Sequence, residues 1–200
     1  LSSAGAFFAR WRVRLSYPLA ILVLFFARPT PRSILWGAVI GLLGLFIRAR
    51  AAGHLHKQEV LTVTGPYAYT RNPLYFGSAI LAVAAAVATR SWISAIILWA
   101  YFALFYSIVM RREEAELRRH HGAAFDEYAN AVPLFFPRLR PVKLPFAGGG
   151  SFSSAQYKKN HEYQAAIGFF LLLVLLLLIW RFVPGLELYL RTYQGTPRSS

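Results

Sequence analysis

Two hundred residues, 56% of them hydrophobic, with a formal charge of +14 and no cysteine, exclude an ordinary water-soluble domain, a disulfide framework, thiolate metal sites and a cysteine nucleophile. The positive charge clusters at the ends of apolar runs, as the positive-inside bias and anionic lipid headgroups require, so nucleic acid is not an expected partner. The composition reads as an all-α integral membrane bundle of about five transmembrane helices, with a helical hairpin and a cytoplasmic amphipathic helix.

The chain opens at Leu1 rather than methionine, which reads as numbering inside a longer or trimmed product. Arg10, Arg12 and Arg14 precede the apolar run Leu15 to Ala27. No small-residue cleavage site follows that run, so it is expected to be a first transmembrane helix and not a signal peptide. Pro29 and Pro31 make a loop, and Ser33 to Ile47 is the second span, with Arg48 and Arg50 at its far end. Both runs fall short of the roughly 20 residues of an average span, so their flanks should complete the crossing.

Residues 49 to 72 form a connection that ends in the motif loop 59–77. Gly65-Pro66 is a turn signal, and a helix should begin at Pro73, with Asn72 as its N-cap. The unpaired amides of that first turn would attract an anion or carboxylate. An Ala-rich third helix, Phe76 to Thr89, and a charge-free fourth, Ser91 to Met110, are separated only by Arg90-Ser91. So short a break implies an antiparallel hairpin, with Ala82, Ala84 and Ala86 allowing close approach of neighbours.

At Arg111 the sequence turns to RREEAELRRHHGAAFDEYANAV. Glu113, Leu117, His121, Ala124 and Tyr128 share one helical face, so residues 111–131 should form an amphipathic helix on the membrane surface, with Gly122 a potential interruption. Pro133, Pro137, Pro141 and Pro145 make an extended stretch. The domain division is a core over 1–146, a Gly/Ser-containing linker over 147–160 and an additional helix and tail over 161–200. The last span is Tyr163 to Trp180, with anchoring, dimerisation and walling of a substrate gate as its alternative roles. The distribution of basic residues places the motif loop and the acidic-basic segment together on the cytoplasmic side.

Several residues have plain alternatives when taken singly. Asn72 is an ordinary N-cap, Tyr67, Tyr69 and Tyr75 fit an interfacial aromatic belt, and Glu113 and Glu114 could pair with nearby arginines. His54, His56, His120 and His121 lack a recognisable ligand spacing, so no metal site is expected.

Their joint order carries more. Gly65-Pro66-Tyr67, then Arg71-Asn72-Pro73-Leu74-Tyr75-Phe76-Gly77, then Glu113-Glu114 with Leu117, Gly122, Tyr128 and Pro133 resemble the isoprenylcysteine carboxyl methyltransferase and phospholipid methyltransferase family over about residues 50 to 140. The resemblance implies a membrane methyltransferase that uses S-adenosylmethionine and leaves S-adenosylhomocysteine. It places cofactor contacts at Glu59, Val60, Leu61, Thr62, Tyr67, Asn72, Pro73, Leu74, Tyr75 and Glu113. Arg71 and Glu114 are the catalytic candidates, with Glu114 or a histidine taking the proton of an amine acceptor.

Two positions depart from the family pattern. Asn72 stands where the family usually has histidine. Val109 stands where its carboxyl-methylating members carry a substrate-binding arginine, leaving Arg111 and Arg112 as the nearest candidates for substrate binding. The implied acceptor is a lipid-like or isoprenoid molecule in the membrane, with anionic lipid headgroups and a second copy, through the last helix, as further partners. A membrane reductase of the sterol-reductase type and a non-catalytic lipid-binding protein are the alternatives.

Overall fold

Thr30 opens the second helix with a capping box: its hydroxyl accepts from the Ser33 amide, and the Ser33 hydroxyl accepts from the Thr30 amide. Pro31 follows at the first helical position, where its missing N–H costs nothing. The computed structural model describes residues 17–55, 60–145 and 150–194, with side chains described to 183. Helix α1 covers residues 17–25. It is followed by α2 (Pro31–His54), a 3₁₀ turn (Gly65–Ala68), α3 (Pro73–Thr89), α4 (Trp92–His121), α5 (Ala123–Ala131), α6 (Ser154–Lys159) and α7 (Tyr163–Gln194). No strand occurs among the described residues.

Helices α2 and α3 form the closest pair, and small residues let them approach. A Cβ on Gly37 would meet the Ala88 methyl at 2.6 Å and the Ala84 carbonyl at 2.8 Å, and one on Gly44 would meet the Gly77 carbonyl at 3.0 Å. Between membrane helices this is the expected means of association, because lipid gives apolar side chains no reason to prefer each other over acyl chains. Ala84 is buried in this contact, while Ala82 and Ala86 are only partly covered. Helix α7 docks on the same pair through Phe169, Leu173 and Leu176, with the Phe169 ring lying over Gly41. The opposite faces remain apolar and exposed, as at Leu35, Trp36, Leu42 and Leu43 of α2 and Phe170, Leu171 and Val174 of α7.

Helices α2 (24 residues), α4 (30 residues) and the Tyr163–Val183 part of α7 (21 residues) are each long and apolar enough to cross a membrane, and α3 is a shorter apolar helix. The α3–α4 hairpin turns at Arg90, which adopts the left-handed conformation, φ 49°. The Thr89 carbonyl accepts from the Arg28 amide and the Ser94 hydroxyl donates to the Val23 carbonyl, which ties α1 to this turn.

The second helix runs seven residues beyond Ile47, so much of the expected 49–72 connection is helical. Residues 111–121 do not form a separate surface helix: they continue α4 without a break to His121. Arg, Glu, Ala and Leu are good helix formers and nothing between Met110 and Arg111 interrupts the ladder. At about 45 Å for its 30 residues, α4 exceeds the roughly 30 Å hydrocarbon thickness. Its charged end therefore projects along the helix axis. The break falls at Gly122, φ 52°, and only α5 folds back. The expected linker over 147–160 contains α6, capped by the Ser153 hydroxyl on the Gln156 amide.

Candidate active site

Gly65 starts the motif turn with φ +59°, a left-handed value that a side chain rarely tolerates, and the space its Cβ would fill is occupied by the His54 ring at 2.5 Å. The turn then carries Tyr67 inward. Its backbone carbonyl accepts a 2.8 Å hydrogen bond from the buried Tyr128 hydroxyl. Burial, followed by the nearby Tyr128 and Glu113, pushes the Tyr67 hydroxyl far above the ordinary tyrosine range, and burial does the same to Tyr128. Both remain neutral phenols at any physiological pH.

A proline-rich strap holds the loop. The Arg71 amide donates to the Pro133 carbonyl, the Arg138 amide to the Tyr69 carbonyl and the Val142 amide to the Ala68 carbonyl. The Thr70 hydroxyl donates to the Phe135 carbonyl at 2.9 Å and Asn72 Nδ2 to the Leu134 carbonyl at 2.9 Å. Beneath the loop, Val63, Phe125, Tyr128 and Val132 form a small apolar core. Phe135 of the strap lies edge-on to Phe76 at 5.8 Å and beside Phe102 at 6.2 Å, bridging the α3–α4 hairpin.

Asn72 therefore occupies the N-cap position but does not cap: its side chain makes no bond to the helix amides and turns to the strap instead. The strap carbonyl is a partly buried acceptor, and the amide NH₂ supplies its donor. Pro73 begins α3 as expected.

A cavity of about 250 Å³ lies between the loop and the end of α4. Val60, Leu61, Thr62, Tyr67 and Arg71 line it on the loop side. Glu113, Glu116, Leu117, His120 and His121 line it on α4, and Tyr128 on α5. The Tyr75 hydroxyl donates to Glu113 Oε1 at 2.6 Å, joining the first turn of α3 to this wall. Arg71 Nε lies 3.1 Å from Glu114 Oε1. The N–H is not aligned with the oxygen, so both buried atoms form an ion pair without a hydrogen bond. Arg71 faces the cavity; Glu114 stands behind it.

On the other side of the Gly65-Pro66 turn is an apolar groove of about 430 Å³. Phe46, Ile47, Tyr69, Pro73, Phe76 and Pro137 line it, with Arg50 as its charged residue. The expected cofactor residues thus divide. Val60, Leu61, Thr62, Tyr67 and Glu113 share the polar cavity, Tyr75 reaches it through Glu113, and Pro73 lines the apolar groove. Leu74 contributes its carbonyl to Arg48 and Ser78. Arg111 is exposed, Arg112 is partly buried, and neither lines these two cavities. Glu59 lies outside the described residues.

Of the expected face, Glu113, Leu117, His121 and Tyr128 line one cavity and Ala124 does not, and Gly122 splits the face between two helices. Glu116 and His120 were not singled out for the site; their one-turn spacing from Glu113 and Leu117 is the signal that could have found them.

Residues 36–124 match the phospholipid methyltransferase family model. This is the family that the motifs resemble, and with its long apolar helices the chain is an integral membrane protein. Among curated proteins the chain is 42% identical over 83 residues to the nickel-cobalt-cadmium resistance protein NccN of Alcaligenes xylosoxydans xylosoxydans, covering 42% of this chain and 38% of that one. It is 32% identical over 142 residues to the cobalt-zinc-cadmium resistance protein CzcN of Cupriavidus metallidurans, covering 64% of this chain and 62% of that one. The chain thus spans less than two thirds of the length of either relative. No solved structure matches significantly.

Proposed function

We propose that this protein transfers a methyl group from S-adenosylmethionine to a lipid-like or isoprenoid acceptor held in the membrane. The observation that carries the reading is the pairing of a cavity lined by Arg71, Glu113 and Glu116 with an apolar groove on opposite sides of one motif turn, the cavity walled by Glu113 in its 2.6 Å contact with Tyr75.

The residues of the cavity fit the cofactor's chemistry. Glu113 and Glu116 are carboxylates for an ammonium group, Arg71 is a cation for a carboxylate, and the neutral ring of Tyr67 is an aromatic surface of the kind that attracts a sulfonium cation. Bound there, the cofactor supplies an electrophilic methyl group that needs no further activation.

The protein's work is then alignment and exclusion of water. Tyr75 orients the Glu113 carboxylate, Glu114 holds Arg71 toward the cavity, and the strap keeps the loop closed over both. The apolar groove takes the acceptor's chain, entering from the bilayer, and Arg50 attracts an anionic headgroup. If the acceptor is an amine, a proton must leave first. Glu116 and His121 line the cavity and suit that role better than Glu114, which is committed to Arg71.

The basic flanks orient the polar cavity toward the cytoplasm. A second copy would use the exposed Phe170, Leu171 and Val174 face of α7. The names of the two relatives suggest a setting in metal resistance, where changing a membrane component would alter the barrier that the ions cross. A search for methylated lipids in metal-exposed membranes tests that setting.

The direct test is calorimetric titration of detergent-purified protein with S-adenosylmethionine and S-adenosylhomocysteine. Wild type is expected to bind both and Glu113→Ala neither. A folded wild type that binds neither overturns the proposal, and nicotinamide binding in its place would restore the reductase alternative.

A further inference from the structure

Residues 150–162 lie outside the family-matched segment, yet they touch both supports of the site. The first support is the C-terminal end of α2, whose last carbonyls have no partners within the helix. The Ser153 amide donates to the Gly53 carbonyl at 2.9 Å. Asn160 Nδ2 donates to the Ala52 carbonyl at 2.8 Å and the Leu55 carbonyl at 3.1 Å. The Phe152 ring fills the space beside Gly53, where a Cβ would lie 2.2 Å from it, and meets the His54 ring edge-on at 6.2 Å. His54 in turn packs against Gly65, the first residue of the motif turn, and the Thr64 hydroxyl donates to the Gly150 carbonyl at 3.4 Å.

The second support is the first turn of α3. Glu162, only 7% exposed, grips Arg48 with both oxygens, Nε to Oε1 at 2.5 Å and Nη2 to Oε2 at 3.0 Å. The remaining Arg48 nitrogen, Nη1, donates to the Leu74 carbonyl at 3.3 Å and to the Ser78 hydroxyl. Arg48 is thereby fixed at one end by the C-terminal segment and at the other by the turn that carries Tyr75. A guanidinium buried there without Glu162 would leave an uncompensated charge, so the pair holds its geometry firmly.

We infer that residues 150–162 are a clasp for the active site and that Glu162 is a positioning residue: through Arg48 it sets the first turn of α3, and so the Tyr75 hydroxyl against Glu113. Phe152 and Asn160 do the same for the motif turn through the end of α2. The inference rests on the methyltransferase reading, because it assigns the clasp to the cofactor cavity. It also gives the C-terminal extension a role in catalysis beyond anchoring.

The test is a double-mutant cycle on the full chain, read by S-adenosylhomocysteine affinity, with thermal stability measured alongside. Glu162→Gln keeps the shape and removes the charge. It is expected to weaken binding by about tenfold, within the range of couplings in one ion-pair network. Tyr75→Phe weakens binding by itself, and adding Glu162→Gln to it should cost little more, because both act through the same contact. Ser78→Ala removes only the hydroxyl at the far end of the chain of contacts, so it should fold if Glu162→Gln does not, and should weaken binding by a few-fold.

Additive losses, or a lower melting temperature with unchanged affinity in Glu162→Gln, would overturn the clasp. So would wild-type affinity in Ser78→Ala beside an unfolded Glu162→Gln. A wild type that binds no S-adenosylhomocysteine removes the methyltransferase reading and the clasp with it; a wild type that binds, with unaltered variants, removes the clasp alone.

Discussion

Helices α2 and α3 meet through small residues, Gly37 against Ala84 and Ala88 and Gly44 against Gly77, with side-chain hydrogen bonds at the two ends of the seam, from Ser33 to the Ala88 carbonyl and from Arg48 to the Leu74 carbonyl. The motif loop beside them is held chiefly by hydrogen bonds, from Arg71, Thr70, Asn72 and Tyr128 to carbonyls of the loop and strap. The difference follows from solvent. In lipid, contact area and closeness are what associate helices, whereas an irregular loop carries backbone groups that must each find a partner. The small-residue seam sets how closely α3 lies against α2, and the hydrogen-bonded strap holds the loop whose side chains face the cavity.

Separating the two halves experimentally starts at the site. Glu113→Ala is predicted to lower cofactor affinity by about a hundredfold or more while leaving the melting temperature nearly unchanged, because Glu113 is exposed and belongs to neither holding system. A large loss of stability would instead make Glu113 a structural residue. In the seam, Gly37→Val should cost about 1–3 kcal/mol, since its Cβ meets the Ala84 backbone carbonyl at 2.8 Å and backbone cannot step aside cheaply. Thermal unfolding in detergent reads this, and an unchanged midpoint would mean the helices are not so closely apposed.

In the loop, Tyr128→Phe removes one buried hydrogen bond to the Tyr67 carbonyl and should cost about 1 kcal/mol. It should also weaken cofactor binding, which Gly37→Val is expected to affect less. The same two tyrosines give a pH signature. Their folded-state pKa values are raised above the ordinary 10.0, so the unfolded chain releases these protons first as pH climbs. Their stabilising contribution is complete below about pH 10 and is lost above it, and Tyr67→Phe should flatten that alkaline limb. The smallest effect is expected at Arg118–Asp126, a 2.7 Å pair more than half exposed at both ends. Asp126→Asn should move the melting temperature by less than the measurement error in moderate salt.

The start of α3 at Pro73 and the break at Gly122 were legible because each depends on a residue whose own backbone preference dominates, and the hairpin because the short polar break at Arg90-Ser91 interrupts two apolar runs. The face shared by Glu113, Leu117, His121 and Tyr128 was legible from helical spacing. Its orientation was not: amphipathic periodicity reads the same whether the polar end of a helix lies on the membrane or leaves it axially, and here it continues α4. Asn72 misled for a related reason. An N-cap asparagine and one that bonds a distant carbonyl occupy the same position, and only the approach of Leu134 decides between them.

By itself, then, the sequence determined the apolar helices, their breaks and the order of the motif residues, since these follow from hydropathy and local backbone preference. Tertiary structure decided that Arg71 pairs with Glu114, that Tyr75 meets Glu113 and that Glu162 reaches Arg48 across 114 positions of chain. Those contacts join segments far apart in sequence, and nothing in local preference carries the distance between two helices once they have packed.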